Sequence, residues 1–453
     1  MPKKKTALTI EERLQQALVP AEEQPYEVPE NWVWVRLGAI AEIVTGGTPS
    51  KKHPEYYGGN FPFYKPSDLD QGRLTYDASE YLSEEGKNVS RIIPKNSTAV
   101  CCIGSIGKCG YLMCEGTTNQ QINSAIPKIN SLCLYYYLCT ENFVQDLLSM
   151  ASATTIAIVN KSKMESCAFP LPPLSEQQRI VESIEELFAK LDEAKERLQE
   201  VADSFAVRKA AILHKAFTGE LTKQWRRENG VSDESWEEKK LGEVGFWLGG
   251  GTPSTSREEY WENGNILWIT SKDMKSAVIE DTLMKVNEIG VKNSSANYIE
   301  KPALLVVMRS GILRRTFPVA MVKKPFTVNQ DLKAIIPDKD DLEFLYWMLL
   351  SNEQRILDTC MKNGTTVESI NSNALKDLTF KCPTLPEQHE IVRLIDDLLA
   401  RERSAQQAAE QALASIDLMK KSILARAFRG ELGTNKASEA SALELLKQVL
   451  AEN

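Results

Sequence analysis

The stretch SEQQRIVESIEELFAKLDEAKERLQEVADSF, residues 175–205, is the most informative segment of the chain, because its apolar residues recur alternately four and three positions apart. This seven-residue repeat is typical of a long helix that packs against another helix. Ser175 with Gln178 fits a capping box, and Gly219 fits the end of the helix. A helix over 175–217 would be roughly 65 Å long at about 1.5 Å per residue. The repeating positions are Ile180, Ile184, Leu187, Leu191, Ala194, Leu198, Val201 and Phe205.

A second heptad pattern lies near the carboxyl end of the chain, again after a capping-box pair, Thr384 and Glu387. Its matching positions are Ile391, Ile395, Leu398, Glu402, Ala405, Ala409, Ala412 and Ile416. Glu402 interrupts this seam and is expected to loosen it locally. Because an alanine-rich strip allows close approach of a leucine-rich one, we predict that the two helices pair antiparallel in one coiled coil. The alternatives are that each seam packs on its own globular module or on another chain.

The rest of the sequence also contains motifs that occur twice, in the same order. GGTPS occurs at 46–50 and at 250–254, and TNQQINSAIP from Thr118 aligns with VNQDLKAIIP from Val328. The heptad segments end in AFTGEL from Ala216 and AFRGEL from Ala427. Motifs that return in the same order indicate an internal duplication, so we predict two similar halves related by a pseudo-twofold axis.

Each copy begins with short apolar runs separated by Gly, Pro and Asn, which is typical of a mixed α/β module. The predicted fold is therefore α+β or mixed α/β, with two globular modules separated by the two long helices. The predicted boundaries are an N-terminal connector at 1–28, a first module at 29–170, a first helical spacer at 171–222, a linker at 223–233, a second module at 234–383, a second helical spacer at 384–432 and a C-terminal connector helix at 433–453.

Composition excludes several classes of protein. The chain has 453 residues, of which 42% are hydrophobic and 26% charged, so it can form ordinary globular cores. It contains no run of eighteen apolar residues, which argues against a membrane span. Nine cysteines without a CxxC pair fit reduced thiols, so we expect a cytoplasmic protein.

Candidate catalytic motifs are weak. The glycine-rich stretch 102–110 lacks the spacing of a phosphate-binding loop, and GGTPS lacks the strand and helix context of a dinucleotide site. Only three histidines are present, and the cysteines between Cys101 and Cys114 are irregularly spaced. We therefore predict no metal site, no bound cofactor and no catalytic residue in this chain.

Charge distribution is more informative than motifs. The net charge of −8 argues against a wholly basic nucleic-acid coat. Nevertheless, residues 86–114 and 301–330 contain no acid, and their bases are Lys87, Arg91, Lys95 and Lys108 in the first copy and Lys301, Arg309, Arg314, Arg315, Lys323 and Lys324 in the second. DNA phosphates attract such bases, and arginine can bind guanine edges through two hydrogen bonds. An ordinary solvated face is the alternative.

Together these features give the chain a family resemblance. Two variable modules, each followed by a proline-rich entry, an EQ segment, a heptad helix and an AF-x-GEL ending, resemble the specificity subunit of a type I restriction-modification enzyme. PLPPLSEQQRIV from Pro170 and PTLPEQHEIV from Pro383 carry most of this likeness, which covers nearly the whole chain. In the second copy, Cys382, Pro383 and Thr384 replace the proline pair.

The resemblance implies that each module is a target recognition domain for one half of a bipartite, asymmetric double-stranded DNA site. The helices would set the distance between half-sites and dock two methyltransferase subunits, which bind S-adenosylmethionine. Restriction and translocase subunits, which use ATP and Mg²⁺, would join them. The segments before Tyr26 and after Gly433 would form a split connector equivalent to the linker between the copies.

Because no helix-turn-helix pattern is present, we expect loops to enter the major groove, at half-sites about 34 Å apart. The predicted DNA-binding residues of the first module are Gly46, Gly47, Thr48, Ser50, Lys65, Ser67, Asp68, Lys87, Arg91, Lys108, Asn119 and Gln120. Those of the second are Gly250, Gly251, Thr252, Ser254, Ser271, Lys272, Asp273, Arg309, Arg314, Arg315, Asn329 and Gln330. For both asparagines, capping a turn is an equally good role.

Two other functions stay open at this point. A single-chain DNA methyltransferase or nuclease would need an adenosylmethionine-binding glycine motif and an NPPY-like tetrapeptide, and the sequence has neither. A scaffold that joins two proteins through its coiled coil, without binding DNA, is the second alternative.

Overall fold

The computed structural model describes residues 9–70, 74–152, 157–362 and 367–452. The α-helices in these ranges are α1 (Ile10–Ala17), α2 (Leu37–Ile40), α3 (Glu84–Asn88), α4 (Ser131–Leu138), α5 (Glu141–Ser149), α6 (Lys161–Ser166), α7 (Leu174–Asp203), α8 (Phe205–Phe217), α9 (Lys223–Glu228), α10 (Glu288–Lys292), α11 (Leu342–Ser351), α12 (Glu353–Cys360), α13 (Ser372–Lys376), α14 (Leu385–Ala427) and α15 (Ala442–Ala451).

The strands belong to the two modules. They are β1 (Val33–Arg36), β2 (Ala41–Thr45), β3 (Tyr57–Tyr64), β4 (Leu74–Thr75), β5 (Glu80–Leu82), β6 (Thr98–Cys101), β7 (Cys109–Leu112), β8 (Thr117–Thr118), β9 (Ile122–Pro127), β10 (Ala168–Leu171), β11 (Glu237–Lys240), β12 (Gly245–Gly249), β13 (Ile266–Ile269), β14 (Met284–Val286), β15 (Ala303–Val307), β16 (Val319–Val322), β17 (Phe326–Val328), β18 (Leu332–Pro337) and β19 (Thr379–Cys382).

The chain divides into two compact units. The first contains residues 1–198 and 411–453, and the second contains residues 199–410. Each unit therefore holds one globular module together with parts of both heptad segments, because each of these segments runs from one unit into the other.

The module of the first unit contains two main sheets. One has the strand order β2-β9-β6-β7-β4, and the other has the order β5-β3-β8. Strands β1 and β10 pair antiparallel, with Val33 opposite Leu171, so the first and last strands of the module lie side by side. The core contains fully buried aromatic side chains, including Phe63, Tyr64 and Phe143.

Within the described residues, the module of the second unit repeats this topology except for a strand equivalent to β4. Its sheets have the orders β12-β18-β15-β16 and β14-β13-β17, and β11 pairs antiparallel with β19, with Glu237 opposite Cys382. In both modules the three-stranded sheet contains one parallel pair, β3 with β8 and β13 with β17. The duplication inferred from motifs is thus also a duplication of strand order.

In the first unit, α7 packs antiparallel against the carboxyl-terminal part of α14. Asp192, late in α7, forms an ion pair with Lys420 of α14 at 2.5 Å. Glu176, at the start of α7, accepts a hydrogen bond from Thr434, which lies beyond the carboxyl end of α14. Ile180 and Ile184 are fully buried in the core of the module, in the same cluster as Leu134. The first turns of α7 therefore pack on their own module, as the alternative interpretation expected.

The second unit has the same antiparallel arrangement. Arg208 donates to Glu402 at 2.5 Å, and Thr222 donates to Glu387 at 2.6 Å. At Glu402 an ion pair with Arg208 takes the place of an apolar contact, and the expected local loosening of the seam remains a prediction.

Burial along the predicted seam is uneven. Ile180, Ile184, Ile391, Ile395, Ala409 and Ile416 are buried, and Leu187, Leu191, Leu198, Phe205 and Leu398 are half-buried. Ala405 is exposed, so its assignment to the helix interface was wrong. The helix predicted over 175–217 is irregular at Ser204, which lies between α7 and α8 and whose hydroxyl donates to the carbonyl of Val201 at 3.0 Å. Hydrogen bonds of helical spacing nevertheless continue through it, from Ser204 N–H to Glu200 and from Arg208 N–H to Ser204, both at 3.0 Å. The other interface positions remain predictions.

The chain ends meet in the first unit. Arg13 of α1 donates to the carbonyl oxygen of Leu450 in α15 at 3.2 Å, and Leu446 is fully buried in the core cluster that contains Ala17. Residues 1–8 and 453, parts of the predicted connectors, lie outside the described residues. The predicted domain boundaries remain predictions.

Candidate nucleic-acid interface

The same hydrogen bond ties two loops together in each module. Thr48 in the first GGTPS segment donates to the side-chain oxygen of Gln120 at 2.6 Å, and Thr252 in the second donates to Gln330 at 2.9 Å. All four side chains are exposed. The GGTPS loop, which follows β2 or β12, thus lies beside the turn that precedes β9 or β18.

The first glycine of each GGTPS segment allows this close approach. A Cβ atom on Gly46 would lie 2.2 Å from the carbonyl oxygen of Asn119, and one on Gly250 would lie 1.8 Å from that of Val328. No side chain larger than hydrogen fits at either place. These two glycines shape the loop rather than offering a group to a ligand.

In each module, an aspartate holds the next loop, residues 65–79 or 270–283, in place by accepting hydrogen bonds from the backbone at both of its ends. Asp68 accepts hydrogen bonds from the backbone N–H groups of Lys65 at 2.7 Å and Ser79 at 3.0 Å. Asp273 accepts from the corresponding N–H groups of Thr270 at 2.9 Å and Leu283 at 3.1 Å. Asp68 is buried, so its assignment as a DNA contact was wrong: its oxygens are used inside the module.

The two predicted asparagines have a structural role. Asn119 and Asn329 are 8% and 7% exposed, and each closes a tight turn. The Oδ1 of Asn119 accepts from the backbone N–H of Gln121 at 3.0 Å, and that of Asn329 accepts from Asp331 at 3.1 Å. The predicted base contact was therefore wrong for these side chains, because turn formation uses their polar groups. Their neighbours Gln120 and Gln330 are exposed.

In the first module, most predicted bases are paired with acids. Lys65 lies 2.6 Å from Glu80, Lys87 lies 3.2 Å from Glu115, and Lys108 lies 2.6 Å from Asp70. These carboxylates come from outside the acid-free window, which the sequence could not show. Arg91 is exposed and donates to the carbonyl oxygen of Thr45 at 2.5 Å, next to the GGTPS segment.

The second module leaves more of its positive charge available. Arg309, Arg315 and Lys272 are exposed, and no acid within the described ranges pairs with any of them. Arg314 instead donates to Glu368, and this hydrogen bond lowers the pKa of the Glu368 carboxyl. Arg314 is therefore locally neutralised.

The loop after the central strand differs between the copies. The backbone N–H of Cys102 donates to Gln121 at 2.7 Å, and that of Met308 donates to Asp331 at 2.8 Å, so the two loops begin at equivalent places. The next residue is Ile103 in the first module and Arg309 in the second. A common frame thus presents a glycine-rich loop in one module and an arginine-rich loop in the other.

The remaining predicted residues lie on these loops. Ser50, Ser67 and Ser254 are exposed, Gly47 and Ser271 are half-buried, and Gly251 is buried. The hydroxyl of Ser254 lies 2.8 Å from that of Ser256. Their contact with DNA remains a prediction.

A concave surface of about 390 Å³ opens on the second module beside the pinned loop. Its lining residues are Trp268, Thr270, Ser271, Lys272, Asp273, Leu283, Met284, Asn329 and Asp331. Leu283 and Met284 were missed from the sequence, because no motif or periodic pattern marks them. Leu283 is 76% exposed although it is a large apolar side chain.

Two adjacent thiols of the first module, Cys101 and Cys102, are buried and are poor nucleophiles. Burial raises the pKa of Cys102 to about 12 and also raises the pKa of Cys101. Among the residues that the structure describes, no group of three His, Cys, Asp or Glu side chains could hold a metal ion. No helix in the described ranges has the length and hydropathy of a membrane span.

Two modules with one strand order and one loop frame, each joined to a long helix, define a duplicated recognition protein. The family model described as type I restriction modification DNA specificity domain matches residues 29–203 and 233–412, once in each copy. The chain belongs to this family. The predicted assignment to the type I specificity subunits is thereby confirmed.

Several characterised relatives support the assignment. The chain is 37% identical over 196 residues to the type I restriction enzyme EcoR124I/EcoR124II specificity subunit of Escherichia coli, a match that spans 42% of this chain and 48% of that protein. It is 25% identical over 406 residues to the MjaIX specificity subunit of Methanocaldococcus jannaschii, spanning 83% and 88%. The predicted non-catalytic role agrees with these names.

Solved structures share the fold. The HsdS subunit from Thermoanaerobacter tengcongensis matches with a TM-score of 0.65 at 19% identity, covering 90% of this chain and 100% of that one. The predicted fold, two mixed modules joined by long helices, is confirmed by this likeness and by the repeated family match.

Proposed function

We propose that each module reads one half of a bipartite, asymmetric site in double-stranded DNA, and that the chain serves as the non-catalytic specificity subunit of a type I restriction-modification complex. Family membership does not favour the alternatives of a single-chain methyltransferase, a nuclease or a scaffold that does not bind DNA. The proposal goes further than the family name, because it assigns reading to particular loops of each module.

The observation that carries the proposal is the common loop frame with different exposed side chains. The Thr48–Gln120 and Thr252–Gln330 hydrogen bonds fix the frame in both modules. On it, the second module presents Arg309 where the first presents Ile103. A loop arrangement shared by the two modules would place their loops on DNA in the same way, whereas the different side chains on these loops would select different bases.

The chemistry of the second module favours guanine. Arg309 and Arg315 are exposed, and neither is paired with an acid in the described part of the chain. A guanidinium group can donate two hydrogen bonds to O6 and N7 of guanine in the major groove. Lys272 offers a single mobile charge, which suits a phosphate.

Partner subunits would supply the chemistry. Two methyltransferase subunits that bind S-adenosylmethionine would dock on this chain, and restriction and translocase subunits with ATP and Mg²⁺ would join them. This chain itself would bind no cofactor, and the complex would act on DNA in the cytoplasm. The raised thiol pKa values and the scarcity of histidine support this division of labour.

Module exchange tests the proposal. Residues 234–380 are replaced by the equivalent module of another specificity subunit, and the complex with methyltransferase subunits is used to select duplexes from a random pool. We expect one half-site to change and the other to stay the same. The reciprocal exchange of residues 29–170 should alter only the other half-site. A change in both half-sites after a single exchange contradicts independent reading.

A further inference from the structure

The most exposed large apolar side chain described is held in a fixed position on the second module. Leu283 is 76% exposed, and its backbone N–H donates to Oδ1 of Asp273 at 3.1 Å. The other oxygen of Asp273 accepts from the N–H and the hydroxyl of Thr270 at 2.9 Å and 2.8 Å. The loop is therefore pinned at both ends, and the leucine cannot be explained as part of a loosely held segment.

The surroundings of Leu283 match those of a DNA-reading group. It lines the concave surface together with Met284, Lys272, Asn329 and Asp331. Lys272 is exposed and unpaired among the described residues. Arg309 adjoins the same turn, since its backbone N–H donates to the carbonyl oxygen of Asp331 at 3.3 Å. The carboxylates of Asp273 and Asp331 also line this surface, but they accept hydrogen bonds from Thr270, Leu283 and Asn329 within the module. An apolar side chain beside Lys272, with Arg309 on the adjoining turn, suits a base edge next to phosphates.

The first module provides an internal comparison. Ser79 occupies the place of Leu283, because its backbone N–H donates to Asp68 at 3.0 Å in the same way. Ser79 is also exposed. Both copies thus keep the hydrogen bond from the backbone to the aspartate, but one carries an apolar side chain and the other a hydroxyl. Such a difference is expected at a position that determines base specificity and not at one that stabilises the fold.

We propose that Leu283 is a specificity-determining residue of the second module and contacts the C5 methyl group of a thymine in the major groove. Thymine is the base whose major-groove edge carries a methyl group, and apolar side chains recognise it. This inference rests on the proposed function, since it requires the second module to read a half-site.

The test couples a protein change to a DNA change. The half-site of the second module is first identified by selection with the complex of this chain and methyltransferase subunits. Each thymine in it is then replaced by deoxyuridine, which lacks only the methyl group, and affinity is measured for the wild-type complex and for Leu283→Ser. At one position, we expect the wild type to lose about fourfold to tenfold in affinity and the variant to lose nothing.

Controls separate the possible failures. Leu283→Met keeps an apolar side chain and should retain the sensitivity to deoxyuridine. Leu283→Ser should leave the unfolding midpoint unchanged, because the residue is exposed. If the wild type reads a half-site but no thymine couples to Leu283, this inference fails and the proposed function stands. If exchange of the module alters neither half-site, the proposed function fails. Leu283 could instead insert between two stacked bases and unstack them, which the fluorescence of 2-aminopurine in the half-site would detect. That result would also overturn the inference of a methyl contact.

Discussion

Arg226 donates through Nη1 to Oε1 of Glu387 at 2.7 Å, and this ion pair joins the linker that follows α8 to the first turn of α14 in the second unit. Glu387 is fully buried and Arg226 is 5% exposed. The hydroxyl of Thr222 donates to the same carboxylate oxygen at 2.6 Å. Nε of Arg226 also donates to Asp233 at 2.9 Å, but the Asp233 side chain is largely exposed. Glu387 is therefore the buried partner of this guanidinium, and removing its charge leaves the buried cation with a more weakly bound acid.

Glu387→Gln should therefore destabilise the protein by about 2 kcal/mol, because the buried guanidinium of Arg226 would lie beside a neutral amide and keep the exposed Asp233 as its acid partner. Urea unfolding followed by circular dichroism measures the change. Asp397→Asn provides the control, since Asp397 pairs with Arg401 at 2.8 Å on an exposed face of α14. This control should cost less than about 0.5 kcal/mol. Equal losses in the two variants would contradict the assigned role.

The two adjacent glycines of the first GGTPS segment should respond differently to alanine. A Cβ on Gly46 would strike the backbone, whereas a Cβ on Gly47 meets nothing within 4 Å. We expect Gly46→Ala to cost about 1–3 kcal/mol of stability and Gly47→Ala to cost little. Thermal unfolding of both variants checks this, and a Gly46→Ala protein as stable as the wild type would refute the close packing of the two loops.

Stability at acid pH should depend on Asp340. Burial opposes its ionisation, but hydrogen bonds from Lys239 and Gln388, both at 2.9 Å, lower the pKa of Asp340 below its usual 3.8. A depressed pKa contributes stability that is present above the unfolded value and is lost as pH falls through the folded value. The loss should therefore begin below about pH 5.

The variant Asp340→Asn isolates this effect. At pH 7 it should be less stable by about 1–3 kcal/mol, because a charged hydrogen bond is lost. Its difference from the wild type should shrink as pH falls from about 5 towards 3. Urea midpoints across this range measure the difference, and a gap that stays constant or widens on acidification would exclude the assigned cause.

Two cations of the second module should affect DNA binding in different ways. Arg309→Ala should relax base preference at one position of one half-site by about 1–3 kcal/mol. Lys272→Gln should weaken binding to all sequences alike and reduce the salt dependence by about one counterion. Titrations of the methyltransferase complex against matched and mismatched duplexes at several salt concentrations distinguish the two.

Arg355→Ala provides the control for both variants. Arg355 is an exposed arginine on α12 of the same module, where it donates to the carbonyl oxygen of Thr379 at 3.1 Å. We expect no change in base preference. If Arg355→Ala and Arg309→Ala behave alike, the loop after β15 is not the reading element.

The helices should also set the spacing between half-sites. Removing two heptads, aligned on both helical segments, shortens each by about 21 Å at 1.5 Å per residue. At about 3.4 Å per base pair, the tolerated spacer should shrink by roughly six base pairs. Selection from duplexes with variable spacers measures this, and unchanged spacing would refute the ruler hypothesis.

The sequence alone determined the duplication, the order of modules and helices, and the family, because repeats, heptads and entry motifs are properties of the linear chain. Ile180 and Ile391 could be placed on buried helix faces, since periodicity depends on local geometry. The exposure of Ala405 could not be predicted, because a heptad position says which face a residue occupies and not how closely the partner helix approaches there.

Tertiary structure decided which polar residues are available to a ligand. Lys87 and Lys108 lie in an acid-free window, yet folding brings Glu115 and Asp70 against them. The side chain of Asn119 is hydrogen-bonded within a turn, whereas the side chains of Arg309 and Leu283 are exposed to solvent. Pairing, burial and exposure depend on residues distant in the chain, so a window of sequence records the charges but not the neighbours that neutralise them.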